Sequence, residues 1–106
     1  MQSTQTEYLR IFYSAVDPAD VDDVTRLFDD DVKPVFAAAT GCRSMELVVS
    51  IEKNAGGLVD GAAISRWSSL EAMEAALDSR DVAEAMIRVR QLLRQEPVSR
   101  VFEVLA

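Results

Sequence analysis

Histidine is absent from the 106-residue sequence, and cysteine occurs once, at Cys42. The first absence removes Ser-His-Asp and Cys-His nucleophile arrangements. It also removes histidine-based zinc and non-haem iron sites and the usual haem ligand. The second excludes an intrachain disulfide, and with it the framework on which small secreted domains are built. No neighbouring histidine or lysine would lower the pKa of Cys42, so it reads as a small buried hydrophobe. No apolar run approaches the ~20 residues needed to span a bilayer. The start, MQSTQTEY, lacks the charged lead and apolar core of a signal peptide. A cytoplasmic protein with no membrane segment is expected. Positive charge is scarce too: 11 Lys+Arg against 18 Asp+Glu give a net charge of −7. Nucleic-acid binding is disfavoured, because phosphate neutralisation supplies most of that affinity. Anionic membrane surfaces are disfavoured for the same reason. Any chemistry must use carboxylates, arginine, tyrosine, serine, tryptophan, the lone thiol, or the reactivity of the substrate itself.

What is present suffices for one domain over residues 1–106. An apolar fraction of 49% argues against disorder, and a chain this long can bury one modest core. Residues 1–6 are polar and are expected to fray. Tyr8 to Val16 is β-branched and aromatic enough for a strand, with apolar groups on both parities. Asp17-Pro18-Ala19-Asp20 is a helix start: Asp17 as N-cap, Pro18 at the first helical position, Asp20 near the positive dipole end. Val21, Val24, Leu27, Phe28, Val32, Val35, Phe36 and Ala39 then recur at steps of three and four. Pro34 removes a hydrogen bond inside this helix, so a kink or break is expected there. The run Asp29-Asp30-Asp31 reads as a solvated acidic face. Consecutive helical residues diverge, and a calcium loop needs alternating ligands around a glycine turn. No metal site is expected.

Thr40-Gly41 ends the helix. Ser44 to Glu52 alternates cleanly, with Met45, Leu47, Val49 and Ile51 on one face. Lys53-Asn54-Ala55-Gly56-Gly57 is a turn, and the strand that follows runs to Arg66-Trp67. Gly61 within it suggests a bulge or a close approach. Ser68-Ser69-Leu70-Glu71 has the Ser-x-x-Glu form of a capping box. The helix beginning near Ser69 turns Leu70, Met73, Ala76 and Leu77 inward. A corner with a new cap is expected at Asp78-Ser79-Arg80-Asp81. A further helix carries Val82, Met86, Val89 and Leu93, with Arg88, Arg90 and Arg94 near its C-terminal end and Pro97 as its stop. Val98 to Leu105 is the last strand.

The order β-α-β-β-α-β is the split βαβ pattern of a ferredoxin-like α+β domain: a four-stranded antiparallel sheet with helices on one face. The other face should then be polar. Here the first, second and last strands carry bulky apolar residues on both parities. Leaving them wet would forgo roughly 1.5–3 kcal/mol each. A homodimer joined through the two sheet faces is the expected remedy.

The apolar first strand, the Asp-Pro-led helix, the Thr-Gly-Cys turn before an alternating strand and the Arg66-Trp67-Ser68-Ser69-Leu70-Glu71 junction carry a resemblance. From about Tyr8 to Leu105 the chain resembles the antibiotic biosynthesis monooxygenase group of the dimeric α+β barrel superfamily. The resemblance implies the dimeric barrel and a pocket between helices and sheet. It also implies a cofactor-independent monooxygenase acting on an aromatic or quinone-like small molecule, with the substrate itself as electron donor. Haem degradation, found in other members, is disfavoured. Those enzymes pair their tryptophan with a first-strand asparagine and a histidine, where this chain has Tyr13 and no histidine.

By the same resemblance, Trp67 and Tyr13 are the candidate catalytic residues, and Trp67, Tyr13, Ser65 and Arg90 the candidate ligand-binding ones. Trp67 reads either as a flat wall with an indole donor or as a filler of the strand–helix junction. Tyr13 reads as a phenolate partner or as core. Arg90 reads as an anion partner or a solvated helix end. Arg66, of opposite parity to Trp67, is expected on the other face in a surface salt bridge. A non-catalytic small-molecule binding or sensing domain and a dimeric interaction domain stand as alternatives, because one fold hosts many functions.

Overall fold

A strand that is apolar on both parities begins the fold. In the computed structural model, which describes residues 6–106, β1 spans Glu7–Val16 and lies inside the sheet, with neighbours on both edges. The frayed start expected for residues 1–6 lies, apart from Thr6, outside the described residues. Strands β2 (Cys42–Lys53) and β3 (Val59–Trp67) form the hairpin, and β4 (Val98–Val104) is the far edge. The order is β2-β3-β1-β4, antiparallel throughout. With helices packed on one face, this is the ferredoxin-like α+β fold expected from the element order.

The register sorts the two faces. Tyr8, Arg10, Phe12, Ser14 and Val16 of β1 share the helix-covered side with Trp67, Ser65 and Ala63 of β3 and with Met45 and Leu47 of β2. Leu9, Ile11 and Tyr13 lie on the other side, beside Arg66, Ile64 and Ala62 and beside Phe102, Arg100 and Val98. Nothing in the protomer covers that second face: Tyr13, Val48 and Phe102 are each nearly half exposed. Glu7 and Arg66 lie there too. Glu7 accepts from Arg66 at 3.0 Å and from Arg43 at 3.1 Å, and these two hydrogen bonds hold its carboxyl below its ordinary pKa.

The first helix starts and breaks where its prolines dictate. Asp17 caps it, its carboxylate accepting from the Ala19 N–H at 2.9 Å ahead of a short 3-10 turn at Pro18–Asp20. α1 (Val21–Leu27) then widens into a π-helical turn, Phe28–Val32, before α2 (Lys33–Ala37). In regular α geometry the Pro34 ring would strike the carbonyl one turn back, and Pro34 offers no N–H. The wide turn moves those carbonyls aside, with the Lys33 N–H reaching five residues back to Phe28. Pro34 thus causes a change of pitch while the chain stays helical. Gly41, at φ +84°, ends the segment. Its carbonyl accepts from Ser68 N–H at 2.9 Å, and an added Cβ would sit 2.6 Å from Ala72 Cβ.

Four expectations need correction. The cap of α3 (Leu70–Asp78) is Ser69, which accepts from Ala72 N–H at 3.1 Å, one residue later than the Ser68–Glu71 box. Leu70 consequently falls toward solvent, while Met73 and Ala76 are buried. The chain turns at Ser79, where the second cap was expected, into α4 (Arg80–Arg90). That helix ends before Leu93, because the following loop is held on β1: Arg94 N–H donates to Ala15 O at 2.8 Å and Ser14 Oγ to Gln95 O at 2.6 Å. The irregularity suspected at Gly61 falls instead on β2, whose register slips between Val49 and Lys53. Beyond that slip Ile51 is fully exposed despite its inward parity.

Candidate functional site

Two spaces open on the helix-covered side, and Trp67 lines neither. It has no exposed surface and belongs to the core with Phe28, Val32, Phe36, Met45, Met73, Val82 and Ala85. Its ring meets Phe36 edge-on at 6.1 Å between centroids. Its indole N–H donates to Ser65 Oγ at 2.8 Å. Ser65 is also buried, so the pair satisfies one another inside the junction of β3 and α3. Cys42 pairs with Trp67 across the hairpin, and burial pushes its thiol pKa up. It is half-buried and unactivated.

The first space is a narrow cleft of about 50 Å³ between the sheet and the first helix. Phe12, Ser14 and Val16 form its floor with Leu47, Gly61 and Ala63, and Val24, Leu27, Phe28 and Val32 form one wall. Met86, Val89, Leu92 and Leu93 close the other. The π turn contributes Phe28 and Val32 and so shapes the cleft directly. No titratable side chain lines it. The only side-chain hydroxyl is that of Ser14, which is spent on Gln95 O. Such a lining recognises shape and apolar surface. The volume is below the ~300 Å³ at the lower end for ligand sites, so a ring system enters by displacing flexible walls such as Met86.

The second space adjoins it, because Leu93 lines both. It is an open, polar hollow of about 330 Å³ edged by Arg90, Arg94, Gln95, Glu96 and Pro97. Near it lies a residue that the sequence reading passed over. Arg10 projects from β1 onto the helix side and is 8% exposed. Its Nη2 donates to Ser99 Oγ at 3.2 Å, and its Cζ lies 5.5 Å from the centre of the Phe12 ring. Burial, and then the nearby charge of Arg90, pull its pKa below the ordinary arginine value. The signal was in the sequence: an arginine on the same parity as Tyr8, Phe12 and Val16.

The four residues expected to line one pocket are therefore dispersed. Trp67 and Ser65 are joined in the core, Tyr13 is on the opposite face of the sheet, and Arg90 is at the hollow. Tyr13 is separated from Trp67 by parity, since strand neighbours alternate sides and Trp67 pairs with Tyr8. Among the described residues, no group of three or more His, Cys, Asp or Glu is placed to hold a metal ion.

The sequence profile of the family described as "Antibiotic biosynthesis monooxygenase" matches residues 8–88. No curated protein matches the chain. Solved structures share its fold. A Mycobacterium tuberculosis protein has a TM-score of 0.70 at 22% identity, with 94% of this chain and 96% of that one covered. A Bordetella bronchiseptica protein, described as a candidate antibiotic biosynthesis monooxygenase, has a TM-score of 0.76 at 17% identity, with coverage of 96% and 100%. A Bacteroides thetaiotaomicron protein of unknown function has 0.72 at 14%, with coverage of 96% and 100%.

Proposed function

Since the chain belongs to the antibiotic biosynthesis monooxygenase family, we propose that it binds an aromatic or quinone-like small molecule in the cleft and oxidises it without a cofactor. The observation that supports this reading is the cleft itself: an apolar slot between sheet and helices, floored by Phe12 and walled by Phe28. In this reading the aromatic contacts come from those two rings, and Trp67 holds the wall behind them. The reaction class suits a site poor in chemistry. An activated ring methylene gives up two hydrogens, one oxygen atom of O₂ becomes the carbonyl, and the other leaves as water. The substrate supplies the electrons, and the protein excludes water and orients the ring. Two copies joined through the uncovered sheet faces form the working unit.

One observation favours a second reading, that of a binder without turnover. The cleft offers no residue to take a proton from the substrate. Oxygen consumption by the purified protein with anthrone and with substituted hydroquinones separates the two. The first reading expects uptake above the uncatalysed rate, lost in Ala63→Leu, which fills the floor of the cleft. Thermal stabilisation by the same compounds without oxygen uptake supports the binder. Neither uptake nor stabilisation leaves a domain whose role is assembly.

A further inference from the structure

Arg10 is a buried cation without a counter-ion. Its one side-chain partner is a neutral hydroxyl, that of Ser99. Among the described residues neither Arg10 nor Arg90 has a carboxylate within 4.0 Å. By contrast Arg94, on the same hollow, is matched by Asp17 at 3.4 Å. Glu96 also edges the hollow, outside ion-pair distance of both unmatched guanidinium groups. A protein with a net charge of −7 has carboxylates to spare. Removing a guanidinium from water beside a second positive charge is costly unless something negative joins them. A guanidinium presents five donors in a planar fork suited to a carboxylate, and Arg10 commits one of them here.

We propose that Arg10 and Arg90 form an anion seat at the end of the apolar cleft, and that the ligand is an aromatic carboxylate with its ring in the cleft and its charged group in the hollow. Leu93, common to both spaces, marks where the two parts of such a ligand join. Phe12 links them from below, since its ring floors the cleft and lies under the Arg10 guanidinium. The inference rests on the reading that the cleft is a ligand site, and it is independent of turnover.

The test is calorimetric titration of the full chain with 2-naphthoate and, in parallel, the neutral 2-naphthamide of nearly the same shape. Naphthoate is expected to bind at least tenfold more tightly, with affinity falling as salt is raised. Arg90→Gln, at an exposed position, is expected to lower that preference severalfold. Arg10→Met is expected to abolish it while leaving naphthamide binding unchanged. Arg10→Lys keeps the charge and is expected to restore part of it. Should Arg10→Met fail to fold, the wild-type comparison and Arg90→Gln decide alone. Equal affinities for acid and amide, or no binding of either at millimolar concentration, overturn the proposal. Oxygen uptake on neutral phenols together with equal affinities would sink the anion seat and spare the oxygenase reading. Naphthoate preference without any oxygen uptake would do the reverse.

Discussion

A tryptophan enclosed on every side and a serine two positions earlier form a closed polar pair inside an apolar junction. Removing one member leaves the other orphaned, which costs about 1–3 kcal/mol for a buried hydroxyl, and the smaller ring adds a void. Trp67→Phe is therefore expected to lower stability by roughly 2–4 kcal/mol, read as a lower urea midpoint at unchanged slope. Trp67→Phe combined with Ser65→Ala should be more stable than Trp67→Phe alone, because the orphan is gone. Residue types announced this corner only in part. A lone Trp at a strand end is visible in the sequence, but whether its N–H points to a ligand or to a neighbour depends on which rotamer the packing of Phe36 permits. Arg10 was legible by parity, and its lack of a counter-ion was not. That depends on where residues far away in the chain, Arg90 and Ser99, come to rest.

At the scale of elements, punctuation decided most of the outcome. Asp17-Pro18, Gly41 and Ser79 each do what their chemistry requires, and all were readable. Adjacent serines defeated the pattern at α3, since either Ser68 or Ser69 can cap and only the three-dimensional position of Gly41 selects between them. Ser68 gives its backbone N–H to the Gly41 carbonyl, which leaves Ser69 to begin the helix. Ser69→Ala is expected to cost about 1 kcal/mol, and Ser68→Ala less than about 0.5 kcal/mol; paired thermal melts of the two variants check this. The early end of α4 was hidden for a related reason. Periodicity carried the helix on to Leu93, but two hydrogen bonds to β1 captured the loop first.

For the molecule as a whole, the uncovered sheet face decides what the protein does in solution. Leu9, Ile11, Tyr13, Val48, Ile64 and Phe102 share it, and a lone protomer would leave them in water. The sequence showed this face, because strands apolar on both parities cannot bury both against one layer of helices. Sedimentation of the wild type at micromolar concentration is expected to give a dimer. Phe102→Glu places a charge opposite Leu9 in the middle of the face, and is expected to give a folded monomer with unchanged far-ultraviolet dichroism. A wild-type monomer would remove the proposed assembly. Beyond assembly, the wide turn in the first helix sets a constraint on the whole chain. One surplus residue in a helix rotates everything after it by about 100°. Deleting any one of Asp29, Asp30 or Asp31 would bring back a regular pitch, swing Phe36 away from Trp67 and aim the chain's entry into β2 elsewhere. The acidic side chains there are exchangeable, but their number is not.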